Sequence, residues 1–453
     1  MTRSTTFRSR EPLRTHDGLK LRHDRVSGPL PFLNPTRAAF QHIHTSNSKV
    51  STPAASGANK AEKEGENRRQ SHEKGEASPK KDEQLASKIH FQWRSRDNRK
   101  GRHALLISPS QDPSATYLTP RVTSTSIEIA RGILRMCTQF PYWDISYLVA
   151  VIFTLGSCVW VINAFFVWLP LVKPSTEFHN EILVGGGWTA FIGATIFEIG
   201  SVLLMIEAIN ENREGCFGWA LERAISGGEE EDEKIRVRPK KGRCRHHHSN
   251  TKNLVGKGFS ADSHPLPYSS GSSASSAGNV EEEAKPSGPP NRAWQWFPSR
   301  YDLTNHYIRE IGFLACLAQF CGATIFWISG FTALPGIIDH MSQGLLDGIY
   351  WVPQIVGGSG FIISGALFML ETQQVWYKPA FQVLGWHIGF WNLIGAFGFT
   401  LCGALGPAYG NSGAEYQASL ATFWGSWAFL IGSAVQWYES LDKHPVEVKT
   451  GDP

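Results

Sequence analysis

The sequence predicts an all-α membrane protein: six transmembrane helices built as three tandem helical hairpins, flanked by disordered cytoplasmic segments. Two observations carry that prediction. From about residue 145 onward charge nearly vanishes in six blocks, 145–169, 182–206, 310–333, 349–370, 384–405 and 419–438. Each is close to or above the roughly 20 apolar residues, at about 1.5 Å rise apiece, that cross a bilayer. The second observation is an ungapped spacing used three times: Gly193, Phe197, Gly200-Ser201, Glu207; Gly357, Phe361, Ser364-Gly365, Glu371; and Gly425, Phe429, Gly432-Ser433, Glu439. Each copy lies in the second of two neighbouring apolar runs, so the repeated unit is a helix pair. The odd helices repeat as well. Ser146-Tyr147, Gly312-Phe313 and Gly385-Trp386 stand ten residues before the small pairs Gly156-Ser157, Gly322-Ala323 and Gly395-Ala396.

Taken in order, residues 1–139 form a basic tail with 25 Lys/Arg against 13 Asp/Glu and few apolar clusters. Too little apolar surface is available there to offset chain entropy, so the tail reads as disordered. A short amphipathic stretch around Ile127, Ile129, Ile133 and Leu134 leads into the first span, either as a plain lead-in or as a membrane-surface helix. Residues 140–207 are hairpin repeat 1. Residues 208–309 read as a disordered cytoplasmic linker. It holds the acidic block Glu229-Glu230-Glu231-Asp232-Glu233 and then nine Lys/Arg without an acid across 234–257. Repeat 2 spans 310–371, repeat 3 spans 372–440, and 441–453 is a C-terminal tail.

Lys and Arg concentrate in the N-terminal tail, the linker, the 371–383 turn and the C-terminus. The alternate connections 170–181, 334–348 and 406–418 contain only Lys173. By the positive-inside rule both termini are cytoplasmic, which requires an even number of spans. The chain is therefore expected to be an integral, multi-pass membrane protein whose partner is the lipid bilayer, with anionic lipid a candidate contact for its basic segments. Nothing points to nucleic acid or to a particular protein partner. Trp143, Trp168, Trp351, Trp376, Trp386 and Trp437 sit near the ends of the apolar runs, where an amphipathic ring gains most. Cys158, Cys316, Cys321 and Cys402 fall inside apolar runs as small packing residues, and Cys137 and Cys216 are juxtamembrane.

The repeated small residues let helix backbones approach closely, and in a bilayer dispersion packing replaces the hydrophobic drive between helices. Gly193, Phe197, Gly200, Ser201, Gly357, Phe361, Ser364, Gly365, Gly425, Phe429, Gly432 and Ser433 are accordingly read as packing residues. Glu207, Glu371 and Glu439 end the even helices together at the cytoplasmic boundary. The macrodipole disfavours a carboxylate at a helix C-terminus. Three recurrences there imply specific partners: first a structural clamp with Arg or Lys at neighbouring helix starts or with backbone amides, second a ring of cation-binding carboxylates. Glu198 has no counterpart in the other repeats, where Ile362 and Leu430 stand. A mid-span ionisable group costs about 2.5–3.5 kcal/mol to insert. Glu198 is thus either a functional group or a packing residue paired with Gln319, Asn163 or Asn392.

No catalytic, cofactor or metal site is expected, and the chain does not read as an enzyme. Gly357-Gly358-Ser359-Gly360 resembles the nucleophile motif of rhomboid proteases, but the sixth helix lacks the histidine such a serine needs. The Pro-x-Asp/Glu-x-x-Lys/Arg signature of mitochondrial carriers and the aquaporin boxes are both missing. His246-His247-His248 with Cys244 lies in the basic linker without a second ligand cluster. The hairpin carrying Phe197-Glu198-Ile199-Gly200-Ser201 and Phe429-Leu430-Ile431-Gly432-Ser433 resembles the small YrhK-like membrane domain. The middle copy departs, with Ser364-Gly365. The whole chain resembles fungal multi-pass integral membrane proteins of unknown function, a likeness that implies no activity. The function expected is a structural or interaction role in the membrane. The alternative is a small-solute or ion transporter or channel using Glu198 and the glutamate ring.

Overall fold

The computed structural model describes residues 19–21, 25–42, 89–102, 104–107, 117–118, 122–142, 144–210, 235–236, 297–443 and 445–448. The acidic block of the linker, its basic block apart from residues 235–236, the His246–His248 cluster, Cys216 and Trp143 lie outside the described residues.

Among the described residues, six helices are long and apolar enough to cross a membrane. They are α3 (Ile145–Val172), α4 (Gly187–Ile209), α6 (Ile311–Thr332), α7 (Val352–Thr372), α8 (Leu384–Leu405) and α9 (Ser412–Leu441). A short helix, α5 (Arg300–Asn305), precedes the second hairpin. Local chemistry sets several of their ends. Asp144 caps α3 by accepting from Ser146 N at 2.9 Å, and Asn411 caps α9 by accepting from Gly413 N at 2.8 Å. That second cap starts the sixth span at Ser412, well before the apolar block at 419. The turns Glu181–Gly186 and Leu346–Trp351, before α4 and α7, are wound as π-helix.

The helices contact one another in cyclic order: α3 on α4, α4 on α6, α6 on α7, α7 on α8, α8 on α9, and α9 back on α3. A row of three hairpins and a closed three-hairpin ring share one sequence pattern; the structure is the ring. Its axis is filled at mid-height by aromatic side chains from equivalent positions of the three repeats. Trp160, Phe326 and Phe399 come from the odd helices, Phe197, Phe361 and Phe429 from the even ones, and all six are buried. Ring centroids lie 4.8 Å apart for Trp160–Phe399, 5.7 Å for Trp160–Phe326, 5.5 Å for Phe197–Phe429 and 5.6 Å for Phe326–Phe361, all in the range of favourable aromatic contact. The outer surface is apolar too. The equivalent residues Ile199, Ile363 and Ile431 all stand exposed, as lipid-facing side chains do.

The glycines make this ring tight. A methyl group added to Gly193 would come 2.8 Å from the Trp160 indole, and one on Gly357 would come 2.6 Å from the Gly322 carbonyl oxygen. On Gly425 it would come 3.1 Å from the Gly395 carbonyl oxygen. Gly200 and Gly432 press on the odd helix of their own hairpin, at Phe153 and Asn392, whereas Gly365 presses on Leu393 of α8 in the next hairpin.

The amino-terminal region departs from expectation. Its described residues form strands β1 (Leu19–Leu21), β2 (Arg37–His42), β3 (Ile89–Arg94) and β4 (Leu105–Ile107), with helix α1 (Ser95–Arg99) between β3 and β4. A two-residue strand, β5 (Tyr117–Leu118), pairs in parallel with β6 (Ile235–Arg236). The C-terminal β7 (Val446–Val448) joins β4 in parallel, giving the sheet order β1-β2-β3-β4-β7. Composition averaged over the tail conceals this ordered part, which strand pairing, buried Ala38 and Trp93, and ion pairs with the helices hold together. Helix α2 (Ser126–Thr138) has formed, with Gly132 seated on Tyr438 and with Ile127, Ile133 and Leu134 exposed.

Candidate functional site: a basic plug in a glutamate socket

Helix α1 and the residues after it, Ser95-Arg96-Asp97-Asn98-Arg99-Lys100-Gly101-Arg102, enter the mouth of the ring at the end where the even helices finish. Arg99 and Lys100 are each only 1% exposed there. Three of the five buried polar residues of α1, Ser95, Arg96 and Arg99, are paired with the repeat glutamates. Arg99 donates through Nη2 to Glu371 Oε2 at 2.6 Å and through Nη1 to Glu207 Oε1 at 3.3 Å. Arg96 makes a two-point contact with Glu439, Nη2 to Oε2 at 2.8 Å and Nε to Oε1 at 3.4 Å. Arg102 reaches Glu439 Oε1 and Asp97 Oδ1, both at 2.9 Å. Ser95 Oγ donates to Glu371 Oε1 at 3.0 Å. Three equivalent carboxylates thus receive one non-repeating peptide, and they share it unequally.

The backbone turn that makes this possible centres on Gly101, whose φ of 61° is left-handed. It ends α1 and brings Arg102 N back to Asp97 O at 2.8 Å, so that Arg102 faces the cluster. The small residues at the starts of the odd helices make the room. A methyl on Gly312 would come 2.3 Å from Glu371 Oε1, and one on Gly385 would come 2.3 Å from Arg96 Nε. At the third equivalent position Ser146 Oγ donates to the Lys100 carbonyl at 3.4 Å.

Flanking pairs tie the plug to the rest of this face. Arg94 holds Glu447 on β7 at 2.6 Å, and Lys443 holds Asp144 at 2.5 Å while donating to the Lys100 carbonyl at 3.0 Å. Arg37 donates to the Thr372 carbonyl, and Asn34 donates to Glu310 Oε1 at 2.5 Å. Burial works against the charge of Arg94, but Glu447 and Asp97 outweigh it and hold the guanidinium above the ordinary arginine range. The same contest, won by Glu439 and Asp97, raises Arg102. Burial tends to raise the Glu447 carboxyl, and Arg94 reverses this and lowers it. Lys100 goes the other way: burial pushes its ammonium down to about 8, with Glu207 and Glu439 offsetting only part of the loss.

Two cavities lie against the aromatic septum. Toward the plug is a chamber of about 40 Å³ whose lining includes Arg96, Arg99, Lys100 and Ser364. On the other side a vestibule of about 380 Å³ has a lining that includes Asn163, Ser329 and Cys402, at equivalent positions of the odd helices, with Gln354, Thr422 and Tyr409. None of its lining residues is charged.

The glutamates predicted from the repeat, Glu207, Glu371 and Glu439, are brought together and are 1%, 3% and 1% exposed. Their partners correct the expectation: they are arginines of the amino-terminal segment, not of neighbouring helix starts. Glu198 is apart from this cluster. It sits between α4 and α6, where Thr324, itself exposed, donates to its Oε1 at 3.0 Å; Gln319, Asn163 and Asn392 are not its hydrogen-bond partners. His387 stands near the start of α8 with Nε2 2.7 Å from the Phe381 carbonyl. The plug itself escaped sequence reasoning. The available signal was the small residue at each odd-helix start, Ser146, Gly312 and Gly385, which marks space reserved beside each glutamate.

Compared with known proteins, the chain matches no protein family, no curated protein and no solved structure. The YrhK-like likeness finds no support there. Fold and composition define a multi-pass helical membrane protein, in contact with the lipid bilayer through its six spans.

Proposed function

We propose that this protein is a membrane scaffold of the structural and interaction class. Its six-helix ring is a socket that fastens the chain's own basic amino-terminal segment, and with it the C-terminal strand β7, into one platform on one membrane face. The observation that carries this reading is the occupancy of the glutamate ring by Arg96, Arg99 and Arg102. Under the positive-inside rule that face is cytoplasmic. The exposed apolar side of α2 and the basic segments suit contact with an anionic lipid surface. The kinship of the hairpin with the YrhK-like domain belongs to this proposal and rests on the Phe-x-x-Gly-Ser residues alone.

The test is hydrogen exchange of residues 89–102 in the full chain in nanodiscs, paired with proton and cation flux in proteoliposomes. Strong protection of 89–102 that is lost in the triple variant Glu207→Gln, Glu371→Gln, Glu439→Gln, with no flux above empty liposomes, is the expected result. Wild-type flux that the triple variant abolishes would overturn the scaffold.

A second reading, a gated pathway for a small solute or ion, is favoured by the two cavities facing each other across the septum. It predicts flux once the plug cations are neutralised and Trp160 and Phe399 are both truncated. Glu198, on the outer side of the ring, has no place in that path.

A further inference from the structure

The chamber between the plug and the septum has a chemistry that neither reading above uses. At about 40 Å³ it has room for roughly three water-sized spheres, at about 10–15 Å³ each. That excludes organic ligands and phosphate. Its charged lining residues are all positive: Arg96, Arg99 and Lys100. Glu207, Glu371 and Glu439 do not line it. They stand three residues, about one helical turn, nearer the plug end than Leu204, Phe368 and Gln436, which do.

Two lining groups stand without hydrogen bonds among the described residues. Lys100 Nζ is one; its ion pair is with Glu439 Oε2 at 3.6 Å, beyond hydrogen-bond reach. Ser364 Oγ is the other, a hydroxyl on a residue only 1% exposed. An ammonium taken out of water without hydrogen bonds is costly, and a small anion beside it removes that cost. Ser433 and Asn392 add further polar side chains to the same wall. A cation would meet three cationic side chains at the wall, with their glutamate partners behind them and outside the lining.

We propose that this chamber is a binding site for a small monovalent anion of chloride size, held by Lys100 Nζ and the Ser364 hydroxyl. The plug is then one wall of the site, and the anion is enclosed on the axis between plug and septum.

The test uses the full chain in nanodiscs. Thermal unfolding is followed while sodium chloride replaces sodium gluconate at constant ionic strength, and a bromide-loaded crystal is examined by anomalous scattering. The expected results are a saturable rise in unfolding temperature with chloride and a bromide peak in the chamber next to Lys100 Nζ. Lys100→Met is expected to abolish the chloride dependence. Ser364→Ala leaves every ion pair of the plug intact and is expected to weaken the apparent chloride affinity about ten-fold, the usual worth of a hydrogen bond to a charged group. It carries the test by itself if Lys100→Met does not fold. Bromide found only outside the chamber, or a chloride dependence unchanged in Ser364→Ala and in a folded Lys100→Met, overturns the assignment.

Discussion

The two halves of the ring are built from the same three hairpins and solve opposite problems. On the side of the septum away from the plug, the vestibule has no charged lining and the walls are aromatic rings, hydroxyls and amides supplied by all three repeats. At the plug end, equivalent positions carry glutamates whose charge the repeat cannot neutralise. A segment with no repeat of its own does so. The aromatic half is self-sufficient because dispersion packing needs only the repeat. The charged half is not, because a buried carboxylate is stable only with a partner of opposite sign held in good geometry. Internal symmetry suffices for packing and fails for charge.

The strongest way to break this comparison is to remove the cation that two glutamates share. Arg99→Met leaves Glu207 and Glu371 without their guanidinium, and is expected to cost about 3–5 kcal/mol. Exchange protection should vanish across 89–102 while α8 and the outer ends of α3 and α9 stay protected. Next in size is Phe399→Ala, which opens the septum and should cost about 3 kcal/mol in denaturant unfolding. Its signature is reversed: the plug stays docked and the vestibule and chamber merge.

Lys100 sharpens the comparison through pH. In halide-free gluconate its ammonium, held at about 8 in the folded chain against 10.5 when free, is protonated in both states below pH 8. The burial penalty is then present in full. Between pH 8 and 10.5 the unfolded chain keeps a proton that the folded chain has released, so stability should rise with pH across that window. The rise is on the order of 3 kcal/mol and should be absent in Lys100→Met. Gly101→Ala tests the turn that aims Arg102. A left-handed non-glycine residue costs about 1–2 kcal/mol, so a drop in unfolding temperature with unchanged spans is expected. The smallest effect belongs to Glu198→Gln. The amide keeps an acceptor for the Thr324 hydroxyl, and a change under about 1 kcal/mol is expected. A larger loss, or any effect on plug protection, would tie Glu198 to the axis after all.

Much of the fold was legible because it follows from local pattern. The apolar blocks fixed six spans to within a few residues, except where Asn411 starts α9 early and where π-wound turns extend the segments before α4 and α7. The recurrence of Glu207, Glu371 and Glu439 was legible as a site in need of partners. Those partners were not, since Arg96, Arg99 and Arg102 lie more than a hundred residues from each glutamate and inside a tail whose average composition resembles a solvated chain. Glu198 drew attention as the lone mid-span acid, yet its direction around the helix, outward beside Thr324, depends on which neighbour α4 meets.

By itself the sequence determined what the bilayer and the chain's own periodicity dictate: six helices, three equivalent hairpins and small residues wherever backbones meet, because backbone groups in lipid must be satisfied within each helix. Tertiary structure alone decided that the hairpins close into a ring, that six aromatic side chains meet on its axis, and that a basic segment fills the glutamate mouth. Closure and charge pairing join residues far apart in the chain. Such contacts depend on the positions of whole helices, which no local spacing encodes.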